Sequence, residues 1–242
     1  MRVAVVSDIH GNLHALHAVL AAVTGERVDA LWCLGDLVGY GPRPNECCEE
    51  VEQAVSTCLA GNHDLGVLGR IPIEDFSEDA AAAARWSQTV LMAAARDYLD
   101  GLESVGRVEE VELFHGSPRD PVWEYVLGEG AAYAAFQATS APLVLVGHSH
   151  VALAFLSSGG AVEGTVTPGG TEIDVSEGRW LLNPGSVGQP RDGDPRAAYL
   201  VLDLDAKRAL FRRVEYPLER TQEEIRERGL PEPLAARLAH GL

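Results

Sequence analysis

Seven side chains that could bind metal ions come just after short apolar runs in this sequence of 242 residues. They comprise two carboxylates, one amide and four imidazoles, and they are Asp8, His10, Asp36, Asn62, His115, His148 and His150. Such a mixture of oxygen and nitrogen donors suits first-row divalent ions better than calcium or an all-thiolate zinc site. A single aspartate after a strand usually caps a turn, and a single histidine usually lies on the surface. Five of the eight histidines follow apolar runs, however, and this joint pattern favours a metal site.

Two pairs of these side chains are separated by a single residue. Asp8 and His10 form one pair, and His148 and His150 form the other. A spacing of two residues puts both side chains on the same side of an extended backbone. Each pair could therefore chelate one centre.

Strands and helices alternate in the first part of the chain. The predicted strands are Val3–Val6, Ala30–Leu34 and Thr57–Ala60, and the predicted helices run from Asn12 to Val23 and from the end of the Gly39–Asn45 loop to about Ala54. This alternation is typical of a parallel sheet with crossover helices. Ligands collect at the carboxyl ends of such strands, which is where Asp8, Asp36 and Asn62 fall.

The rest of the chain predicts further helices and a second sheet. Helices are expected at Glu78–Leu99, Gly130–Thr139, Glu219–Arg228 and Pro233–His240, and strands at Val108–Phe114 and Leu143–Val146. From Val151 to about Tyr216 the sequence is strand-like with glycine turns, which predicts a second, more antiparallel sheet. No linker or repeat interrupts the chain, so we expect a single α/β domain over residues 1–242.

Composition limits the partners. The formal net charge of −17 argues against broad binding of nucleic-acid backbones or anionic membranes.

The N-terminus reaches Asp8 too early for a signal peptide or a membrane span. Four cysteines, Cys33, Cys47, Cys48 and Cys58, contain no pair with the two-residue spacing of zinc knuckles, and free thiols in a cytoplasmic protein are expected. The sequence leaves the oligomeric state open, and a homo-oligomer is one possibility.

Five motifs, taken in order, resemble those of the calcineurin-like metallophosphoesterases. They are Asp8-Ile-His10, Gly35-Asp36, Gly61-Asn62-His63-Asp64, His115-Gly116 and Gly147-His148-Ser149-His150. The resemblance extends from Met1 to about Ser186 and implies a double β-sandwich flanked by helices, a four-layer α/β/β/α fold. It also implies two divalent metal ions, with manganese favoured and iron, zinc, nickel, cobalt or magnesium as alternatives. By the family pattern, Asp8, His10, Asp36 and His150 would hold one metal, and Asp36, Asn62, His115 and His148 the other.

The resemblance further implies hydrolysis of phosphomonoesters or phosphodiesters. A hydroxide bridging two metals about 3.5–4 Å apart would be the nucleophile, and the cations would give an acidic protein a positive floor for phosphate. His63 would be the acid for the leaving group or a donor to the phosphoryl oxygens, and Asp64 would hold its other ring nitrogen. Gly61 would let the backbone come close to the site. Asn62, His63 and Arg191 would contact a small phosphorylated substrate, with nucleotides among the candidates.

Other functions remain open. One is a non-catalytic metal-binding scaffold on the same fold, although the presence of His63 argues against it. Within the enzyme class, the alternatives are a dinucleoside polyphosphate hydrolase and a serine/threonine protein phosphatase. A P-loop is excluded because Lys207 is the only lysine.

Substrate selection is not fixed by the sequence. The candidate selectors are the loop from Tyr40 to Asn45, which contains Arg43, the segment Ser117–Asp120, which contains Arg119, and the segment Pro190–Gly193, which contains Arg191. Arg191 could bind a second phosphate or a carboxylate through its planar guanidinium. A salt-bridged arginine in a loop is the alternative.

Overall fold

The computed structural model describes residues 1–242 and contains twelve strands and eight α-helices. The strands are β1 (Arg2–Val6), β2 (Ala30–Cys33), β3 (Thr57–Cys58), β4 (Val105–Val108), β5 (Val111–Phe114), β6 (Leu143–Leu145), β7 (Ala152–Ser158), β8 (Ala161–Val166), β9 (Glu172–Asp174), β10 (Arg179–Pro184), β11 (Ala197–Asp203) and β12 (Arg208–Val214). The helices are α1 (Leu13–Thr24), α2 (Pro44–Ala54), α3 (Asn62–Leu68), α4 (Glu78–Val90), α5 (Ala93–Asp100), α6 (Glu129–Ala138), α7 (Leu218–Glu227) and α8 (Glu232–Ala236). Short 3₁₀ helices cover Ile73–Asp75 and Arg237–His240. No helix is both long and apolar enough to cross a membrane.

The strands form two mixed sheets of six. One has the order β3-β2-β1-β11-β12-β9, and the other has the order β4-β5-β6-β10-β7-β8. In the first sheet β1, β2 and β3 are parallel and β11 joins antiparallel to β1. In the second sheet β5, β6 and β10 are parallel, whereas β4 and β7 pair antiparallel with this central group.

Strand β1 shows how the sequence produces stacked layers. Its side chains alternate between two cores, since Val3 and Val5 pack between the sheets and Ala4 and Val6 pack under the helices. All four side chains are fully buried. A continuous β-branched and alanine run therefore fits a strand that is covered on both faces.

Helices cover the outer faces of both sheets. Buried side chains of α1, α2 and α5 pack on the first sheet, and those of α6 pack on the second. A fourth cluster joins α4, α7 and α8 around Tyr40. The predicted four-layer α/β/β/α fold is confirmed.

The prediction of one continuous helix over Glu78–Leu99 is wrong. The chain leaves the helical conformation at Leu91 and Met92, between α4 and α5. The side chain of Asn45 satisfies the backbone at this break, donating to the carbonyl of Val90 (3.0 Å) and accepting from the N–H of Met92 (2.7 Å). The break therefore depends on a residue from another helix, which local periodicity does not reveal.

A second sheet is present, as expected, but it does not contain all the strands that follow Val151. Strands β7, β8 and β10 lie in the second sheet, but β9, β11 and β12 complete the first. The predicted strand Val108–Phe114 is a hairpin, β4 and β5, with a turn at Glu109, which has a positive φ of 52°. Alternation of apolar residues identifies strands, but it does not assign them to a sheet.

Candidate metal centre

All seven candidate ligands lie at one edge of the sandwich. Asp8 follows β1, Asp36 follows β2 and Asn62 begins α3 after β3. His115 follows β5, and the loop after β6 carries His148 and His150. Each side chain is at most 4% exposed. The parallel strands of both sheets thus bring their carboxyl ends to the same buried place, as predicted for the first sheet.

Four of these residues form one group. The possible ligand atoms of Asp8, His10, Asp36 and His150 lie within 4.8 Å of one another. Nε2 of His10 is 3.1 Å from Nε2 of His150 and 3.6 Å from Oδ2 of Asp36. Nε2 of His150 is 3.4 Å from Oδ1 of Asp8. The four donors converge on one point.

A second group shares Asp36 with the first. It contains Asp36, His115 and His148, again with ligand atoms within 4.8 Å of one another. Nε2 of His115 is 3.4 Å from Oδ2 of Asp36 and 3.1 Å from Oδ1 of Asn62. The amide oxygen of Asn62 therefore adds a fourth donor beside this group.

Backbone carbonyls hold the second nitrogen of each imidazole. The contacts are His10 Nδ1 to Val38 (3.0 Å), His115 Nδ1 to Leu34 (2.8 Å), His150 Nδ1 to Gln189 (2.6 Å) and His148 Nε2 to Trp123 (3.2 Å). Donation of the N–H to a carbonyl leaves the other nitrogen as an acceptor and fixes the ring orientation. In its neutral form each imidazole thus presents a lone pair to the centre.

Orphaned oxygens indicate that this donor set fits cations. Oδ1 of Asp8 and Oδ2 of Asp36 are buried without a hydrogen-bond partner. An unpaired buried carboxylate is costly, and carboxylate and imidazole donors together suit first-row divalent ions. The close approach of the ring nitrogens of His10 and His150 is likewise favourable with a cation between their lone pairs. The residues present therefore fit divalent metal ions.

The protonation of the imidazoles follows from burial and charge. Burial lowers the pKa values of His10 and His150 well below their ordinary value and that of His148 to about 3. These rings are neutral at pH 7, which is the form that binds metals. Burial acts in the same direction on His115, but the carboxylate of Asp36 outweighs it and raises the pKa to about 10. A cation at Asp36 would compete with the proton on His115, so metal binding is expected to release protons.

The backbone at these ligands differs from the extended form expected from their spacing. The φ angles are 55° at Asp8, 50° at His10, 64° at His148 and 59° at His150. A left-handed residue other than glycine costs on the order of 1–3 kcal/mol, and such residues cluster at functional sites. Asp8 and His10 join the same group, but His148 and His150 join different ones. The second pair is therefore divided between the two groups, as in the assignment that the family resemblance implies.

The Asn183-Pro184-Gly185-Ser186 turn supports the loops that carry the ligands. Asn183 donates to the carbonyl of Gly147 (2.7 Å) and to Oγ of Ser149 (3.0 Å). The hydroxyl of Ser186 donates to the carbonyl of Asp8 (2.7 Å). This turn thus ties the loop after β6 to the loop after β1.

Comparison with known proteins identifies the family. The model of the calcineurin-like phosphoesterase superfamily domain matches residues 1–207. The chain belongs to this superfamily. A crystal structure of a metallophosphoesterase from Sphaerobacter thermophilus is 43% identical, with a TM-score of 0.91, and the match covers 100% of this chain and 99% of that one. An uncharacterized protein of Methanocaldococcus jannaschii is 37% identical over 99% of this chain and 98% of its own length.

A shorter similarity links this calcineurin-like domain to a named hydrolase. The symmetrical bis(5′-nucleosyl)-tetraphosphatase of Ectopseudomonas mendocina is 39% identical over 72 residues. The match covers 28% of this chain and 26% of that protein. It is therefore local, unlike the full-length matches.

Asp64 does not bind the ring of His63, the role that was expected of it. Its carboxylate accepts four backbone N–H groups, from Asp36 (2.8 Å), Leu37 (2.9 Å), Val38 (3.1 Å) and Gly61 (2.9 Å). No hydrogen bond joins it to the ring of His63, whose Nδ1 is buried without a partner. The expectation that Asp64 holds this nitrogen is therefore wrong. Asp64 instead fastens the loop after β2 to the start of α3.

Packing positions the ring of His63. Its centroid is 4.4 Å from that of Tyr40, 4.7 Å from that of Phe76 and 4.8 Å from that of His10. The backbone N–H of His63 donates to Oδ1 of Asp36 (2.8 Å). Burial lowers the pKa of His63 to about 4, so the ring is neutral at pH 7.

Gly61 meets the requirement predicted for it. A β-carbon at this position would lie 2.1 Å from Oδ1 of Asp36. Any larger residue would displace the carboxylate that both groups share. The prediction of a close backbone approach is confirmed.

A cleft of about 520 Å³ opens beside the metal groups. It is lined by Tyr40, Asn62, His63, Asp75, Phe76, Ser77, Ala80, Trp123, Tyr125, Arg191, Arg237 and Leu242. The expected substrate contacts Asn62, His63 and Arg191 all lie there. Sequence reasoning missed the aromatic wall of Phe76, Trp123 and Tyr125, although two of these residues closely follow the candidate segment Ser117–Asp120.

Two of the candidate selectors are placed elsewhere. Arg43 pairs with Glu224 at 2.7 Å and with Glu46 at 3.1 Å. Arg119 pairs with Glu124 at 3.4 Å and is half exposed. Neither arginine lines the cleft. The salt-bridged alternative concerns Arg191, which makes no ion pair, whereas Arg43 and Arg119 do.

Proposed function

We propose that this protein is a two-metal hydrolase of phosphomonoester or phosphodiester bonds in small phosphorylated substrates, nucleotides among them. The main support for this proposal is that the carboxylate of Asp36 belongs to both donor groups. His63 lies next to these groups, and its Nδ1 has no hydrogen-bond partner. Manganese is the favoured metal. The cytoplasmic location and the oligomeric state stay predictions.

The chain supplies a defined place for the phosphoryl group. Bound divalent ions would activate water as the nucleophile and withdraw charge from the phosphoryl oxygens. Asn62 and His63 line the cleft next to both donor groups, so they can orient a phosphate over Asp36. His63 belongs to neither donor group. Its neutral ring can donate an N–H to the phosphoryl oxygens or to the leaving oxygen.

The shape of the cleft supports a small organic substrate. Its volume of about 520 Å³ falls in the range of ligand pockets. The rings of Phe76 and Trp123 meet edge to face, with centroids 5.5 Å apart. Tyr125 stacks on His148 at 4.0 Å. These rings offer apolar surface to the organic part of a phosphoester, and they favour a small molecule over a phosphoprotein.

A non-catalytic scaffold is the alternative from another class. It would need the metal groups but not His63 or an open cleft beside them. His63 belongs to neither donor group, yet its ring lines the cleft and is held there by packing against Tyr40. These features favour the enzyme.

Hydrolysis of dinucleoside polyphosphates remains a second candidate within the enzyme class. The observation that favours it is the 72-residue similarity to a symmetrical bis(5′-nucleosyl)-tetraphosphatase. Because this similarity covers only 26% of that enzyme, it supports common metal chemistry more than a common substrate.

Metal removal and replacement test the proposal. Hydrolysis of p-nitrophenyl phosphate and bis-p-nitrophenyl phosphate is measured after metal stripping and after addition of manganese, nickel, cobalt, zinc or magnesium. We expect activity only with metal, and a fall in kcat of about 10²–10⁴-fold in His63→Ala. His17→Ala, on the exposed face of α1, serves as the matched control. Inactivity with every metal, or full activity of His63→Ala, would overturn the proposal.

A further inference from the structure

Two arginines in the cleft lack carboxylate partners. The chain has 36 acidic residues and 19 basic ones, and ten of its arginines make ion pairs. Arg191 and Arg237, which both line the cleft, do not. The exposed Asp75 lines the same cleft but forms no ion pair with either. Eight of the 18 arginines make no ion pair, and of these eight only Arg191 and Arg237 line the cleft. Two positive charges that face a cleft without a carboxylate partner can bind an external anion there.

Both guanidinium groups donate to the same neutral atom. Oε1 of Gln189 accepts from Arg191 at 2.9 Å and from Arg237 at 3.5 Å. Gln189 is 2% exposed. Two like charges side by side on an amide oxygen repel each other, whereas an anion between them would be held by both.

The surroundings fix the orientation of Arg191 in advance. Its guanidinium carbon lies 5.7 Å from the centroid of the Tyr40 ring, and it donates to the Tyr40 hydroxyl at 3.2 Å. Its backbone N–H donates to the carbonyl of His150 (3.1 Å). Nε is buried without a partner. A donor that is buried, oriented and unused is expected to be satisfied by a ligand.

We propose that Arg191 and Arg237 form a second anion subsite, which binds a phosphate next to the scissile phosphoryl group. The inference rests on the proposed function for the scissile position and names the substrate class as organic diphosphates and polyphosphates. The Tyr40 centroid is 4.4 Å from the His63 centroid and 5.7 Å from the Arg191 guanidinium carbon. His63 and Arg191 are thus at most about 10 Å apart, which a single small substrate can span.

A structural role is the alternative for Arg191. In that role it would serve only to hold Tyr40 and Gln189 in place, and its loss would affect all substrates alike. Arg237 has no comparable contacts, because its side chain donates only to Gln189. A structural role could explain an effect of replacing Arg191 but not an effect of replacing Arg237. Replacing each arginine in turn therefore separates the subsite role from the structural one.

The experiment compares ADP with AMP, which differ by one phosphate. Their binding to metal-loaded protein is measured by calorimetry in the His63→Asn background, which limits turnover. We expect ADP to bind at least 10-fold more tightly than AMP. The ratio of the two dissociation constants should fall at least fivefold in both Arg191→Gln and Arg237→Gln. Arg191→Lys keeps the charge but loses the planar fork, so an intermediate ratio is expected. Arg228→Gln, an exposed arginine outside the cleft, controls for net charge.

The outcomes separate this inference from the proposed function. The subsite proposal would be overturned if the parent protein bound ADP and AMP equally tightly. It would also be overturned if Arg191→Gln and Arg237→Gln weakened the binding of ADP and of AMP by the same factor. A retained preference for ADP in a protein that hydrolyses no phosphoester would instead overturn the proposed function alone. Thermal melting of each variant checks that it folds, and Arg237→Gln tests the subsite even if Arg191→Gln is unstable. Kinetic analysis with the same pair should show the effect mainly in KM.

Discussion

Gly39 lies directly against the ring of His63. A β-carbon added to Gly39 would be 2.4 Å from Nδ1 and 2.9 Å from Cγ of the imidazole. Gly39 has a φ of 85°, and the next residue, Tyr40, packs beside the same ring. The ring of His63 is therefore positioned by packing, in which Gly39 takes part, and no carboxylate is bonded to its Nδ1.

Replacement of Gly39 by alanine should displace His63. The added methyl group cannot fit beside Nδ1, so the ring has to rotate or shift away from the metal groups. We expect kcat for p-nitrophenyl phosphate to fall about 10²-fold, since small misplacements of catalytic groups have effects of this size. Metal content should stay unchanged, because the three atoms nearest to the added methyl group all belong to His63, which is in neither donor group. Steady-state kinetics and metal analysis check both expectations.

Gly69 provides the matched control for this substitution. Its φ is 77°, close to that of Gly39, but no atom lies within 4 Å of the position that a β-carbon would take there. Alanine at Gly69 should carry the same conformational cost of about 1 kcal/mol without affecting catalysis. Equal kinetic defects in the two variants would mean that backbone strain, and not contact with His63, lowers the activity.

Asp36 should control the occupancy of both metal positions, because its Oδ2 lies 3.6 Å from Nε2 of His10 in one donor group and 3.4 Å from Nε2 of His115 in the other. In Asp36→Asn we expect the loss of both ions. In His150→Ala one ion should remain, since His150 belongs to one group only. Metal content per chain is measured by mass spectrometry after dialysis, with His17→Ala as control. Loss of both ions from His150→Ala would contradict the shared-carboxylate arrangement.

The sequence predicts the ligand types and their place because both follow from simple periodicity. Short β-branched runs mark the parallel strands, and the polar residues after them must lie at one edge of the sheet. Asp8, Asp36 and Asn62 are found there. The first helix, including its cap at Asn12, follows equally local rules.

Other features depend on contacts between distant parts of the chain. Asp64 binds the backbone of residues 36–38, and no local pattern indicates those partners. Asn45 similarly decides where α4 ends. The cleft draws Trp123 and Arg237 from separate elements. Sequence periodicity contains no information on such tertiary pairings.

Asp64→Asn should destabilise the fold as well as the site. An asparagine keeps one acceptor oxygen but places an NH₂ group against two of the four backbone N–H donors. Unsatisfied buried donors cost about 1–3 kcal/mol each, so we expect a loss on the order of 2–6 kcal/mol. Urea unfolding of metal-free protein measures it, and Asp97→Asn on the exposed face of α5 is the control. A stable Asp64→Asn variant that only loses activity would instead support a direct role toward His63.

Glu224 on α7 should make stability depend on pH through its pairing with Arg43 and His14. Hydrogen bonds from Arg43 lower the pKa of Glu224, at contacts of 2.7 and 2.8 Å. Because the folded state favours the ionised form, its contribution is complete above the unfolded pKa and is lost as pH falls through the lower, folded value. Glu224→Gln should therefore cost about 1 kcal/mol at pH 7, after allowance for solvent screening, and progressively less between pH 5 and pH 3. Glu223→Gln, an exposed neighbour without an ion pair, should show no such trend, and an equal trend in both variants would refute this assignment.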